Sequence, residues 1–172
     1  MRLTGPRVVL RSPTPDDLDR LTEIRHEPEV VARWHVPEPG EFELFLAEET
    51  TLVIEVHGEP IGAIQFDEEA DPMYRHAGID LFLTAARHNQ GFGSEAVAVL
   101  ARHLIEDHGH HRLTIDPAAD NVAAIRAYEK VGFRPVGVMR RYERGRDGTW
   151  HDGLLMDLVA DELVDPMPPS RP

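Results

Sequence analysis

The chain contains no cysteine. Disulfides, thiolate nucleophiles and cysteine-ligated metals are therefore excluded. It has no apolar run near the roughly 20 residues that a membrane-spanning helix needs. Met1 to Leu10 lacks the charged-then-apolar pattern of a secretory leader, so the expected location is cytoplasmic. Positive charge is scarce: 18 basic against 31 acidic residues leave a net charge of −13. Such a surface repels nucleic acid phosphates and anionic lipid, so neither nucleic acid nor membrane is an expected partner. A cationic small molecule is. The GxGxxG spacing of a dinucleotide fold is missing, and no Lys-Ser/Thr follows a glycine loop as in a P-loop. No internal repeat and no linker interrupts the chain.

What is present is ordinary for a globular protein: 172 residues, 41% hydrophobic and 28% charged. That length predicts one domain with a real core. The expected boundaries are 1–164 for the domain and 165–172 for a flexible tail, in which four of eight residues are proline.

Periodicity gives the elements. Arg7 to Arg11 reads as a strand, and Pro15-Asp16-Asp17 as a helix start. Leu18, Leu21 and Ile24 mark one face of that helix. Val30, Val31 and Trp34 suggest a short second helix, and Glu41 to Glu49 a third. Leu52 to Val56 and Ile61 to Phe66 flank turn residues and read as a hairpin. Asp67 to Pro72 reads as an acidic loop before a strand over Ala77 to Leu83. A glycine-bearing loop leads to a helix over Glu95 to Asp107, with Ala96, Val97, Leu100 and Leu104 inward. Arg112 to Asp116 is a strand. A helix capped by Asp120 or Asn121 ends near Gly132. Phe133 to Met139 and Trp150 to Val159 are the last strands. The result is one mixed α/β domain.

Two stretches carry chemistry. His88-Asn89-Gln90-Gly91-Phe92-Gly93-Ser94 joins a strand to a helix. Its backbone N–H groups and the helix N-terminus suit a pyrophosphate, but a GxG alone also fits a plain turn. Asp120 to Phe133 reads NxxAxxxYxKxGF from Asn121 onward. Asn121 and Tyr128 lie seven residues, about two turns, apart on nearly one helix face. A tyrosine hydroxyl there can protonate a leaving group.

Together these motifs resemble the GNAT family of acetyl-CoA-dependent N-acetyltransferases. The resemblance runs from Arg7 to about Val164. It implies a single GNAT-type α/β domain whose mixed, mostly antiparallel central sheet is flanked by helices. It implies acetyl-CoA as cosubstrate, held by His88, Asn89, Gln90, Gly91, Phe92, Gly93 and Ser94. The family's loop usually begins with Gln or Arg, and here that position is His88. By the same resemblance Asn121 and Ala124 contact the pantetheine arm, and Tyr128 protonates the departing thiolate. Leu81, Phe82 and Leu83 would pair with the pantetheine amides as an added strand does.

The acceptor is read from acidic residues. Asp80 and Asp116 sit on strands expected to be neighbours, so both can face one cleft. An ammonium needs a carboxylate to hold it and must lose a proton before it attacks. Glu69 and Asp71 of the acidic loop, Trp34 and Asp152 are further candidates for substrate contact. Gly58 to Gly62, Glu69 to Pro72, Gly78-Ile79-Asp80 and Asp116 to Phe133 resemble the aminoglycoside 6′-N-acetyltransferase branch. There the two strand aspartates bind the aminosugar and help deprotonate its amine. Asp80, Asp116 and Tyr128 are accordingly the expected catalytic residues, acting by direct transfer to an aminoglycoside amine and so conferring resistance. Protein N-terminal amines or polyamines are the alternative acceptors. An inactive CoA- or drug-binding module is the alternative of another class.

His108, His110 and His111 cluster at a helix end, with Gly109 among them. Such a cluster suggests a metal, but the helix dipole favours a cation at that end, and no metal is expected; His57, His76 and His103 read as surface residues. A homodimer through the exposed final strands is an expectation from family habit.

Overall fold

Strand-forming sequence dominates the middle of the chain. Thr51-Leu52-Val53-Ile54-Glu55-Val56 is rich in β-branched residues, and its side chains alternate between two apolar layers. In the computed structural model, which describes residues 1–164 apart from 36, 39 and 146, this segment is β3 (Thr51–Val56) of an eight-stranded sheet. The proline-rich tail expected over 165–172 lies outside the described residues.

The other strands are β1 (Arg2–Thr4), β2 (Val9–Arg11), β4 (Glu59–Glu69), β5 (His76–Leu83), β6 (Arg112–Ile115), β7 (Arg134–Arg144) and β8 (Trp150–Val159). Their order across the sheet is β1-β2-β3-β4-β5-β6-β8-β7, and only β5 with β6 is parallel. The sheet is therefore mixed and mostly antiparallel, as expected.

Helices cover both faces. α1 (Leu18–Arg25), α2 (Pro28–Val31) and α3 (Glu41–Ala47) place Leu21, Ile24, Val30 and Phe42 against Val53, Ala63 and Phe82. α4 (Phe92–Glu106) and α5 (Val122–Glu129) cover the other face. The predicted stripe of α4, Ala96, Val97, Leu100 and Leu104, is buried. No helix among the described residues is long and apolar enough to cross a membrane.

Several boundaries differ from the sequence reading, each for a local reason. The strand expected over Arg7 to Arg11 is β2, and it is joined by a strand the sequence reading did not give, β1, across a turn in which the Gly5 N–H donates to the Val8 carbonyl. Trp34 lies beyond α2, which ends at Val31. β4 runs on through Asp67, Glu68 and Glu69, so much of the expected acidic loop is strand paired to β5. Pairing with a neighbour overrides the low strand propensity of acids. α4 begins at Phe92 rather than Glu95, because Gly91 at φ 83° turns the chain directly into the helix. β7 continues to Arg144 past an irregularity between Met139 and Glu143.

Candidate active site

β5 and β6 are joined at Ala77–Leu113 and Gly78–Thr114 and then part. β5 continues along β4 as far as Leu83 opposite Gly62, while β6 follows β8. The gap exposes the β6-facing edge of Leu81, Phe82 and Leu83. A cleft of about 620 Å³ runs from it, with Leu81 and Leu83 on one wall, Asn121, Ala124 and Tyr128 on the other, and Trp34 at the rim.

The glycine loop closes one end. Gly91, Gly93, Ser94, His88 and Asn89 line the cleft, and so does the Arg87 side chain before them. Gly91 and Asn89 both take positive φ, 83° and 58°. The first N–H groups of α4 have no carbonyl within the helix to bond, and here they face this end of the cleft. The loop is braced from beneath. Glu95, almost fully buried, accepts the Val8 N–H at 2.9 Å and pairs with Arg7 Nε at 2.7 Å. Arg7 also donates to the Gln90 carbonyl at 3.1 Å and lies over the Phe92 ring. Two predicted residues point away from the cleft. Gln90 donates its side-chain N–H to Ala86 carbonyl, and the Phe92 ring is buried in the core. They serve the loop through its backbone. His88 reaches the Leu83 carbonyl at 3.0 Å, which ties the loop to β5.

α5 carries the opposite wall. Asn121 caps it, its side-chain oxygen accepting the Ala124 N–H at 3.2 Å. Asn121, Ala124 and Tyr128 all line the cleft, Asn121 and Tyr128 on the one helix face that their spacing predicted. Tyr128 is 8% exposed. Burial, then the negative charges of Asp80 and Asp116, push its pKa above the ordinary tyrosine range. That shift keeps the hydroxyl protonated, with a proton available to donate. The sequence reading gave no role to Arg33, Arg126 and Lys130, yet all three line the cleft. Arg126 and Lys130 are four residues apart on a helix, so they stand on one face. That spacing was the available signal. Arg33 is paired with Asp120, whereas Arg126 and Lys130 concentrate positive charge at the cleft of a chain whose net charge is −13.

Asp80 and Asp116 lie just beyond the point where their strands part. Asp80 is open to solvent, and neither it nor Asp116 is among the residues that line the cleft. Crowding by the surrounding protein first, and the charge of Asp116 second, push its pKa up to about 7. The Leu81 N–H, which donates to Asp80 at 2.8 Å, pulls the other way. So does the positive charge of Arg25, whereas Glu143 raises it.

Three neighbours of this pair had no signal in the sequence. Tyr142 donates a hydrogen bond to Asp116, which holds its own pKa up at about 12. Its ring packs over Gly153, where any β-carbon would sit 2.8 Å from it. Glu143 follows on the same irregular stretch of β7. Arg25 is buried beneath Trp34, Phe42 and Phe82, with its guanidinium 4.9 Å from the Trp34 ring centre. It donates to His35 carbonyl at 2.7 Å.

The other predicted substrate residues are placed differently. Trp34 lines the cleft but also packs edge-on against Phe82, at 5.4 Å between ring centres. Asp152 accepts the Arg141 N–H at 2.7 Å, at a residue with φ 53°. It thus shapes the β7 stretch that delivers Tyr142. Glu69 accepts the Asp71 N–H and Asp71 accepts the Met73 N–H, so both carboxylates shape the β4–β5 turn. Glu69 pairs across from His76, four residues from Asp80, about 13 Å along the strand. The structure does not bring these two to the Asp80–Asp116 pair.

Known proteins resemble this chain in sequence and fold. The family model for the acetyltransferase (GNAT) domain matches residues 7–134. The chain is 34% identical over 102 residues to an aminoglycoside N(6′)-acetyltransferase type 1 of Klebsiella pneumoniae, covering 52% of this chain and 50% of that protein. It is 37% identical over 75 residues to a kanamycin resistance protein of Rhizobium radiobacter, covering 43% of this chain and 68% of that one. The match thus spans about half the length of the first of these relatives. Aminoglycoside acetyltransferase AAC(6′)-Ib, solved in complex with coenzyme A and kanamycin, superposes with a TM-score of 0.72 at 28% identity, over 90% of this chain and 96% of that one. A GNAT-family acetyltransferase of Bacillus anthracis shares the fold at a TM-score of 0.83 and 18% identity, over 94% and 100% of the two chains. The matched residues hold the parted strands, the glycine loop and the Tyr128 helix together, and by that match the chain belongs to the acetyltransferase (GNAT) domain family.

Proposed function

We propose that this protein transfers the acetyl group of acetyl-CoA to an amine of an aminoglycoside, at its 6′ position, and so confers resistance. The observation that carries the reading is the Asp80–Asp116 pair at the strand split, coupled electrostatically to the buried Tyr128 hydroxyl. The similarity to aminoglycoside N(6′)-acetyltransferases supports the acceptor class.

The cleft residues fit the cosubstrate. The loop over His88 to Ser94 and the start of α4 offer N–H groups to a pyrophosphate. Arg87, Arg126 and Lys130 add charge of the right sign. The open edge of Leu81 to Leu83 offers backbone partners to the pantetheine amides. What the bound cosubstrate supplies is an activated acetyl thioester.

The chain's own residues do the rest. Asp116 holds the acceptor ammonium by charge. Asp80, with its pKa near 7, takes a proton from that ammonium at neutral pH and is still a competent base. The freed amine attacks the acetyl carbonyl. Tyr128 gives its proton to the departing sulfur, and its raised pKa ensures that the proton is there to give. The attacking nitrogen sheds its second proton as the amide forms, and that proton, passed directly or through water, restores the Tyr128 hydroxyl; the proton on Asp80 is released to solvent. No covalent acetyl-cysteine can form, because the chain has no cysteine.

The test is thiol release from acetyl-CoA with kanamycin as acceptor, against a control without acceptor. Kanamycin-dependent release, with the acetyl group found on the 6′-amine, is expected. Coenzyme A binding without kanamycin-dependent release would move the acceptor to peptide N-termini or polyamines. Binding without turnover on any amine would reduce the protein to a binding module.

A further inference from the structure

The far end of α4 carries a second cluster of chemistry. His103 lies in the last turn of α4, His108 and His110 in the connection to β6, and Glu68 near the end of β4. His108 Nδ1 and His110 Nε2 approach one and the same oxygen, Glu68 Oε1, at 3.0 and 2.5 Å. The donor atoms of these three residues lie within 4.8 Å of one another. The His110 side chain is 1% exposed, and its Nδ1 is buried with no hydrogen-bond partner. Beside them the His103 ring stands 4.7 Å from the His108 ring, edge to face. His103 Nδ1 meets Asp107 Oδ2 at 2.6 Å, while its Nε2 is also buried without a partner. A carboxylate on one ring nitrogen and a bare second nitrogen is how metal-binding imidazoles are oriented. Buried ring nitrogens left unpaired cost stability, and two imidazoles on one carboxylate with a third ring beside them is not an apolar packing solution.

We propose that Glu68, His108 and His110 form a binding site for a divalent transition-metal ion of the zinc class, with His103 the adjacent donor for a fourth position. Imidazole nitrogens with one carboxylate oxygen suit zinc. They do not suit calcium or magnesium, which take oxygen donors. The C-terminal end of α4 favours a cation. Arg75 is the opposing charge nearby, and it is engaged with the His108 carbonyl.

The 15 residues of α4 span about 22 Å, so the metal stands far from the glycine loop and takes no part in acetyl transfer. Its role is to fasten the α4–β6 connection to β4. The sequence hid the set because Glu68 precedes His108 by 40 positions. The proposal rests on this geometry and not on the acetyltransferase reading.

The experiment uses the full chain, stripped with a chelator and then freed of it. Zinc chloride is titrated in competition with a chromophoric chelator, and thermal unfolding is followed with and without zinc. One zinc per chain and a rise in Tm are expected. His108→Ala and Glu68→Gln should each weaken zinc binding by roughly 100-fold and abolish the rise in Tm. His111→Ala, next in sequence but outside the cluster, should leave both intact. Glu68→Gln keeps the shape of the side chain, so it reads the site even where His108→Ala is unfolded. Sub-stoichiometric or weak zinc binding by the wild type, or equal binding by Glu68→Gln, would overturn the site.

Discussion

Asp80 and Asp116 each stand two residues beyond Gly78–Thr114, the last backbone pair that joins β5 to β6. Parallel strands in register keep equal steps from their last shared pair. Both carboxylates are therefore delivered to the mouth of the split, where the charge of Asp116 raises the pKa of Asp80. The same split opens the edge of Leu81 to Leu83. One departure from regular pairing thus makes both the acidic pair and the cleft beside it.

The first prediction concerns pH. Asp80 must be ionised to accept a proton, so the acceptor-dependent rate should fall below about pH 7, where its carboxyl is protonated. Asp80→Asn should remove that limb and lower kcat on the order of 100-fold. A retained limb at unchanged position would assign it to another group.

Stability should move in a linked way. A raised carboxyl pKa means that the folded protein binds more protons than the unfolded chain between about pH 4 and about 7. The favourable contribution is complete below that window and lost as pH rises through it. Asp80→Asn should therefore raise Tm at pH 8, with the gain shrinking toward pH 5. Thermal scans of both proteins across that range check the sign.

Tyr128→Phe removes the proton donor and keeps the ring in its buried place. It should cut kcat by more than tenfold while the KM for both substrates changes little. Equal turnover would exclude Tyr128 as the acid. Tyr142→Phe should act differently, raising the acceptor KM a few-fold through loss of its hydrogen bond to Asp116. The KM for acetyl-CoA should not follow.

Arg126→Ala with Lys130→Ala tests the basic wall. The KM for acetyl-CoA should rise about tenfold, the value of one charge-assisted hydrogen bond. Its salt dependence should flatten. Steady-state kinetics at two ionic strengths reads both.

Away from the cleft, Asp17 is almost fully buried and accepts both terminal nitrogens of Arg11 at 2.7 Å. That bond, with the Thr14 N–H, holds its pKa down at about 2. The stabilisation is present above about pH 4 and is lost as pH falls toward 2. Asp17→Asn should cost about 2 kcal/mol at pH 7 and shift acid unfolding. Urea titrations at pH 7 and pH 3 measure it.

The sequence by itself determined the pieces whose signals are local. Turn residues between apolar runs marked β3 and β4, a four-residue stripe marked the buried face of α4, and helical spacing put Asn121 and Tyr128 on one face of α5. Local signals need only neighbours within a turn or a strand. What required the tertiary structure was everything set by long-range pairing. Asp67, Glu68 and Glu69 became strand because β5 was there to pair with them. Glu69 and Asp71 are drawn into their own turn, and Asp152 holds the Arg141 backbone so that Tyr142 can reach Asp116. Arg25 meets the field of Asp80 from another layer of the fold. A residue's charge and shape are written in the chain, but whether a carboxylate faces a cleft, a turn or two histidines depends on which distant segment packs beside it. That is settled by burial and pairing between elements many residues apart.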